Sequence, residues 1–169
     1  MEVIEVYEYT PNDELYKATF KEEDKELIMY FVHNVSYENK RLVDVFLSDG
    51  NLIKKLLKSL REISPLIKFA EKFKNKVELD VKSLIEVVIP KKYDVCEYIA
   101  KYLEKYMRLK ELLKVKIFGD IDDSRLYHYI RILPIFEDSD ESLDISEELE
   151  NNIYKSPLSN RILVFSIFK

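Results

Sequence analysis

The sequence predicts an α+β protein: an N-terminal antiparallel β-meander packed with two or three helices, and a C-terminal strand that returns to the sheet. Three observations carry this. Val3, Ile4, Val6, Tyr7 and Tyr9 alternate with Glu2, Glu5 and Glu8, as a half-buried strand requires. From Leu52 the apolar period lengthens to that of a helix. The last ten residues, NRILVFSIFK, are too apolar to be left free and read as a strand that rejoins a sheet. A length of 169 residues, 47% of them hydrophobic, suits a single domain over 1–169 with a sizeable core.

The elements follow in order. After the first strand, TPND (10–13) is a turn, with Pro11 fixing φ. LYKATF (15–20) is a second strand, and KEEDKE (21–26) a solvated connection. LIMYFVHNV (27–35) is an apolar run rich in strand formers, and RLVDVFL (41–47) alternates again. These four segments make the meander. SDGN (48–51) stops it and caps a helix in which Leu52, Ile53, Leu56, Leu57, Leu60 and Ile63 share a face. SP at 64–65 restarts that helix. VELDV (77–81) is a short strand or an extended link, and KSLIEVVIP fits strand or helix equally. Residues 92–114 form the strongest predicted helix, with Val95, Ile99, Tyr102, Leu103, Tyr106, Leu109, Leu112 and Leu113 on one face. VKIFG (115–119) is a strand, and 120–133 a short helix or a strand. An acidic segment then leads to a helix capped by Asp144 with Glu147.

Composition excludes several functions. Gly50 and Gly119 are the only glycines, so no glycine-rich phosphate loop of either common type is possible. Cys96 is the single cysteine, and His33 and His128 the only histidines, which removes cysteine- or histidine-based zinc sites. No cofactor is implied. No apolar run approaches the roughly 20 residues of a membrane span, and the acidic start is unlike a leader. A cytoplasmic protein with no membrane association is expected. Gln is absent and Lys and Glu are abundant, a thermophile trend that an AT-rich genome would also favour.

Charge is unevenly distributed. Residues 1–50 carry net −7, residues 51–116 net +8, and residues 117–169 net −6. The cationic centre is mostly lysine, with Arg61 and Arg108 its only arginines. It would grip phosphate without reading bases. Lys54, Lys55, Lys58 and Arg61 stand between the apolar positions of the first central helix. Lys54, Lys58 and Arg61 follow i, i+4, i+7 spacing and form one cationic line. The plainer alternative is that these bases pair with the acidic flanks. Residues 137–150 hold eight acids and no base, with Leu143, Ile145 and Leu149 interleaved. They fit a solvated stretch, a flap over the basic patch or a partner-docking segment.

Two carboxylate clusters point to metal chemistry. In VELDVKS (77–83), Asp80 and Lys82 lie two apart and would share a face of an extended chain. Asp80-Val81-Lys82, with Asp44 as a preceding strand acid, resembles the PD-(D/E)xK nucleases. That resemblance implies two carboxylates on Mg²⁺ and a lysine beside the attacking water. Here two helical stretches separate the acids, and the preceding proline is missing. In GDIDDS (119–124), Asp120, Asp122 and Asp123 follow a strand, where metal carboxylates often sit, but helix capping accounts for them as well. The order SDG, SPLIK, VELDV, LIEVVI is similar to that of landmarks in POZ adaptors, though a helix stands here where those place a strand first. The resulting expectation is a non-enzymatic accessory subunit with a protein partner, in a nucleic-acid-handling complex. A Mg²⁺-dependent nuclease, or an adaptor with no nucleic-acid role, are the alternatives.

Overall fold

The computed structural model describes residues 3–9, 15–47, 50–87, 95–122, 127–157 and 159–169. The protein is α+β, and it divides into two compact units, Met1–Ser64 and Pro65–Lys169.

The first unit begins as predicted. Strands β1 (Val3–Tyr9) and β2 (Leu15–Lys21) pair antiparallel, with Val3 opposite Lys21 and Tyr9 opposite Leu15. The TPND turn lies outside the described residues. The meander stops there. The stretches 27–35 and 41–47, expected as strands, belong to one helix, α1 (Glu22–Leu47). The reason is visible at its start. Glu22, Glu23 and Asp24 occupy the first turn, where carboxylates meet the positive end of the helix dipole. Asp24, Ile28 and Phe31 are then buried at i, i+4, i+7 spacing. A continuous apolar run satisfies either period, and here the helical one wins. The next helix, α2 (Gly50–Lys72), keeps its predicted face: Ile53, Leu56, Leu57, Leu60 and Ile63 are all buried. Ile28, Ile53 and Leu57 form a cluster with Val32 against it, which joins α1 to α2. Instead of restarting at Ser64, α2 runs through Pro65, and the boundary between the units falls at that residue.

The second unit holds a mixed sheet in the order β3-β4-β5-β6, with β7 also on β5. Strand β3 (Val77–Leu79) pairs parallel to β4 (Leu112–Asp122). The only antiparallel pairing in this sheet is β4 with β5 (Tyr127–Phe136). The C-terminal segment joins a sheet, but this one and not the N-terminal β1–β2 pair that was expected; it does so in two pieces, β6 (Ile162–Val164) and β7 (Ile167–Phe168), both parallel to β5. The register sets Val77, Val115, Ile117, Ile130, Ile132, Ile162 and Val164 on one buried face, the core of the unit.

Helix α3 (Val81–Glu86) packs on β4. Gly119 makes this close approach possible. A Cβ there would lie 2.3 Å from the Ser83 carbonyl oxygen and 2.5 Å from Val87 Cγ2. Its N–H donates to Ser83 Oγ at 2.9 Å.

The predicted helix 92–114 is shorter. Helix α4 is Val95–Glu104, and β4 has already begun at Leu112. Between them, residues 105–111 turn through hydrogen bonds to the third residue back, including Met107 N–H to Glu104 and Leu109 N–H to Tyr106. Lys76 Nζ donates to the carbonyls of Met107 and Leu109, both at 2.9 Å, and so satisfies oxygens that a continuing helix would have used. Tyr106, Met107 and Leu112 are buried all the same. Helix α5 (Asp140–Tyr154) starts a turn earlier than predicted. Ser139 is its N-cap and accepts from Ser142 N–H at 3.1 Å. Tyr102 Oη on α4 donates to the Leu149 carbonyl on α5 at 3.1 Å.

Candidate nucleic-acid interface

The buried face of α2 decides which of its side chains reach solvent. With Ile53, Leu56, Leu57 and Leu60 inside, Lys54, Lys55 and Lys58 are exposed. Among the described residues, none of the three meets a carboxylate. Arg61 has a different role. Its Nε donates to Asp24 Oδ1 at 3.0 Å and its Nη2 to Asp24 Oδ2 at 2.8 Å, a bidentate pair between α2 and the first turn of α1. The Asp24 side chain is only 12% exposed, against 58% for Arg61. The hydrogen bonds that Arg61 donates to Asp24 raise the Arg61 pKa above the ordinary value. Of the four predicted cations, three stand free for an anion and one is held by a nearly buried carboxylate.

Four other lysines of the cationic centre are paired with acids. Lys114 bonds Glu78 at 2.8 Å and Lys101 bonds Glu97 at 3.1 Å. Lys72 pairs with Glu104. Lys105 lies 3.7 Å from Glu148, and its Nζ is 4.8 Å and 5.1 Å from the ring centroids of Tyr106 and Tyr102. The hydrogen bond from Lys114 lowers the Glu78 pKa, and that from Lys72 lowers the Glu104 pKa. Burial pushes the Tyr102 and Tyr106 phenols up.

The predicted metal residues fall on several elements. Asp80 is the N-cap of α3. Its Oδ1 accepts from Ser83 N–H at 3.2 Å, and Lys82 lies in the first helical turn. The extended Asp80–Lys82 pair is therefore absent: the strand ends at Leu79. Asp44 lies on helix α1, not on a strand, and in the other unit. Asp120 on β4 pairs with Arg131 on β5 across the sheet. Asp122 ends β4, and Asp123 lies outside the described residues. No group of three His, Cys, Asp or Glu among the described residues could hold a metal ion. His33 is exposed on α1. Cys96 is buried on α4.

Sequence reasoning missed the Asp24–Arg61 pair and the Lys76 contacts. The first joins residues 37 apart, and no local pattern announces it. The second had one signal, a lysine between a helix end and a strand.

A relative exists in a thermophilic archaeon. The uncharacterized protein MJ0627 of Methanocaldococcus jannaschii is 28% identical over 88 residues, covering 51% of this chain and 74% of that protein. No family model matches the chain, and no solved structure matches it. No helix among the described residues is long and apolar enough to cross a membrane.

Proposed function

We propose that the protein is a non-enzymatic accessory subunit that docks on nucleic acid through the phosphate backbone, using Lys54, Lys55 and Lys58 on α2. The observation that carries this is the placement of three lysines within two turns of α2, all exposed and none meeting a carboxylate among the described residues, while Lys72, Lys101, Lys105 and Lys114 of the same centre are paired with acids. Lysine grips phosphate as a point charge and reads no base edge, so the binding is indifferent to sequence. A cytoplasmic setting suits a chain with one cysteine and no membrane-length apolar helix among its described residues.

The test is a salt titration of fluorescent single-stranded DNA and RNA by anisotropy. Three phosphate contacts give a slope of about −2 in log K against log salt. The variant K54E/K55E/K58E should bind at least about tenfold more weakly, since reversing each charge turns attraction into repulsion. Arg61 is left unchanged, because its loss would disturb Asp24. No binding by wild type at low salt, or equal binding by the variant, overturns the proposal. Cleavage of plasmid with Mn²⁺ that Asp80→Ala abolishes would establish the nuclease in its place.

A further inference from the structure

We infer that the outer face of α5, with Phe165 beside it, docks a basic amphipathic segment of another protein. Three large apolar side chains are exposed there: Leu143 at 47%, Tyr154 at 54% and Phe165 at 66%. Leu143 and Tyr154 lie near the two ends of the helix. Leu143, Glu147, Glu150 and Tyr154 follow i, i+4, i+7, i+11 spacing, a single line about 16 Å long on a helix. Glu150 accepts from Ser166 Oγ at 3.0 Å and from Ser166 N–H at 3.4 Å, which brings the chain at Phe165 alongside that line. The opposite face of α5 is already used, with Ser142, Ser146, Leu149 and Ile153 buried.

The charges commit the occupant. Glu147 on this line and Asp140 and Asp144 near its start are exposed and, among the described residues, meet no cation. Nucleic acid and anionic lipid would both be repelled. Exposed apolar side chains set among unpaired carboxylates fit a helix whose apolar anchors cover Leu143, Tyr154 and Phe165 and whose lysines or arginines reach the acids between them. This surface belongs to the second unit and is independent of the α2 lysines, so either proposal can fail alone.

The probe is a fluorescent 18-residue peptide with Leu and Lys at helical spacing, set against a scrambled peptide of the same composition. The full-length protein should bind the amphipathic peptide at least tenfold more tightly than the scrambled one. The variant L143S/F165S should lose that preference with its thermal midpoint unchanged. D140K/D144K should bind both peptides more weakly, and K54E/K55E/K58E should bind like wild type. Equal binding of the two peptides, or an unchanged preference in L143S/F165S, overturns the inference. So does a wild-type dimer in sedimentation that excludes the peptide and that L143S/F165S dissolves, because the face would then belong to a second copy of this chain.

Discussion

At Arg61, a residue placed on the helix surface by periodicity holds a carboxylate that is close to buried. Removing Arg61 would leave Asp24 with its charge and without its two donors. Arg61→Ala should cost about 2 kcal/mol, the range for hydrogen bonds to charged groups; the exposure of Arg61 keeps it below the buried-pair extreme. A double-mutant cycle with Asp24→Ala in urea checks this. A coupling under about 0.3 kcal/mol, within the additivity expected of independent sites, would show that the pair contributes nothing. Tyr102 gives a pH dependence. Burial, the largest cause, raises its phenol above the ordinary value near 10, so the folded chain favours the neutral form. The stability this confers is present below about pH 10 and is lost as pH rises above it toward the folded-state value. The wild-type melting temperature should therefore fall between pH 9.5 and 11.5 more steeply than that of Tyr102→Phe. Parallel curves would remove Tyr102 as the cause. The exposure of Lys54, Lys55 and Lys58 was legible in the sequence, because Ile53, Leu56, Leu57 and Leu60 fix the buried side of the helix. The fate of Arg61 was not, since it depends on a contact between two helices that the sequence had not both identified.

The elements show which signals periodicity carries and which it does not. Gly119 looked unremarkable in VKIFG, yet α3 crosses β4 at that point. Gly119→Ala should cost about 2–4 kcal/mol, in the upper range of single substitutions, because its Cβ would strike the Ser83 backbone, which cannot rotate away as a flexible side chain would. Urea denaturation measures this, and a loss under about 0.5 kcal/mol, the range of a neutral surface change, would mean that α3 shifts freely. Strands β1, β3 and β4 and the buried face of α2 were legible because their apolar positions fit one period only. LIMYFVH was misread because an unbroken apolar run has no period to choose by. The choice came from the three acids at 22–24, read as a solvated link rather than a helix start. Residues 92–114 failed in the opposite way. Their helical spacing is genuine through Leu103, while Tyr106 and Leu112 are buried from a turn and a strand. Lys76, distant in sequence, satisfies the turn's carbonyls.

Across the whole molecule, six ion pairs stand among the described residues, and two of them, Arg61–Asp24 and Lys105–Glu148, join the net +8 centre to its acidic flanks. The absence of Gln beside abundant Lys and Glu predicts heat resistance. A circular-dichroism melt should give a midpoint above about 80 °C, and one in the mesophile range of about 45–65 °C would leave genome composition as the source of the lysines. Heat also exposes a protein to polymerisation, and the sheet's borders bear on that. Strand β3 on one side and β6 on the other are three residues each, and the chain leaves the ladder at Phe165 and Ser166 before β7 resumes it. Glu150 occupies the Ser166 N–H at that gap. A foreign strand arriving at either border finds few consecutive free donors and acceptors, too few to seed a fibril by edge addition. At β3 and β6, strand addition should be limited by backbone geometry, independent of surface charge, which leaves the seven-residue β1 and β2 as the longer edges among the described residues.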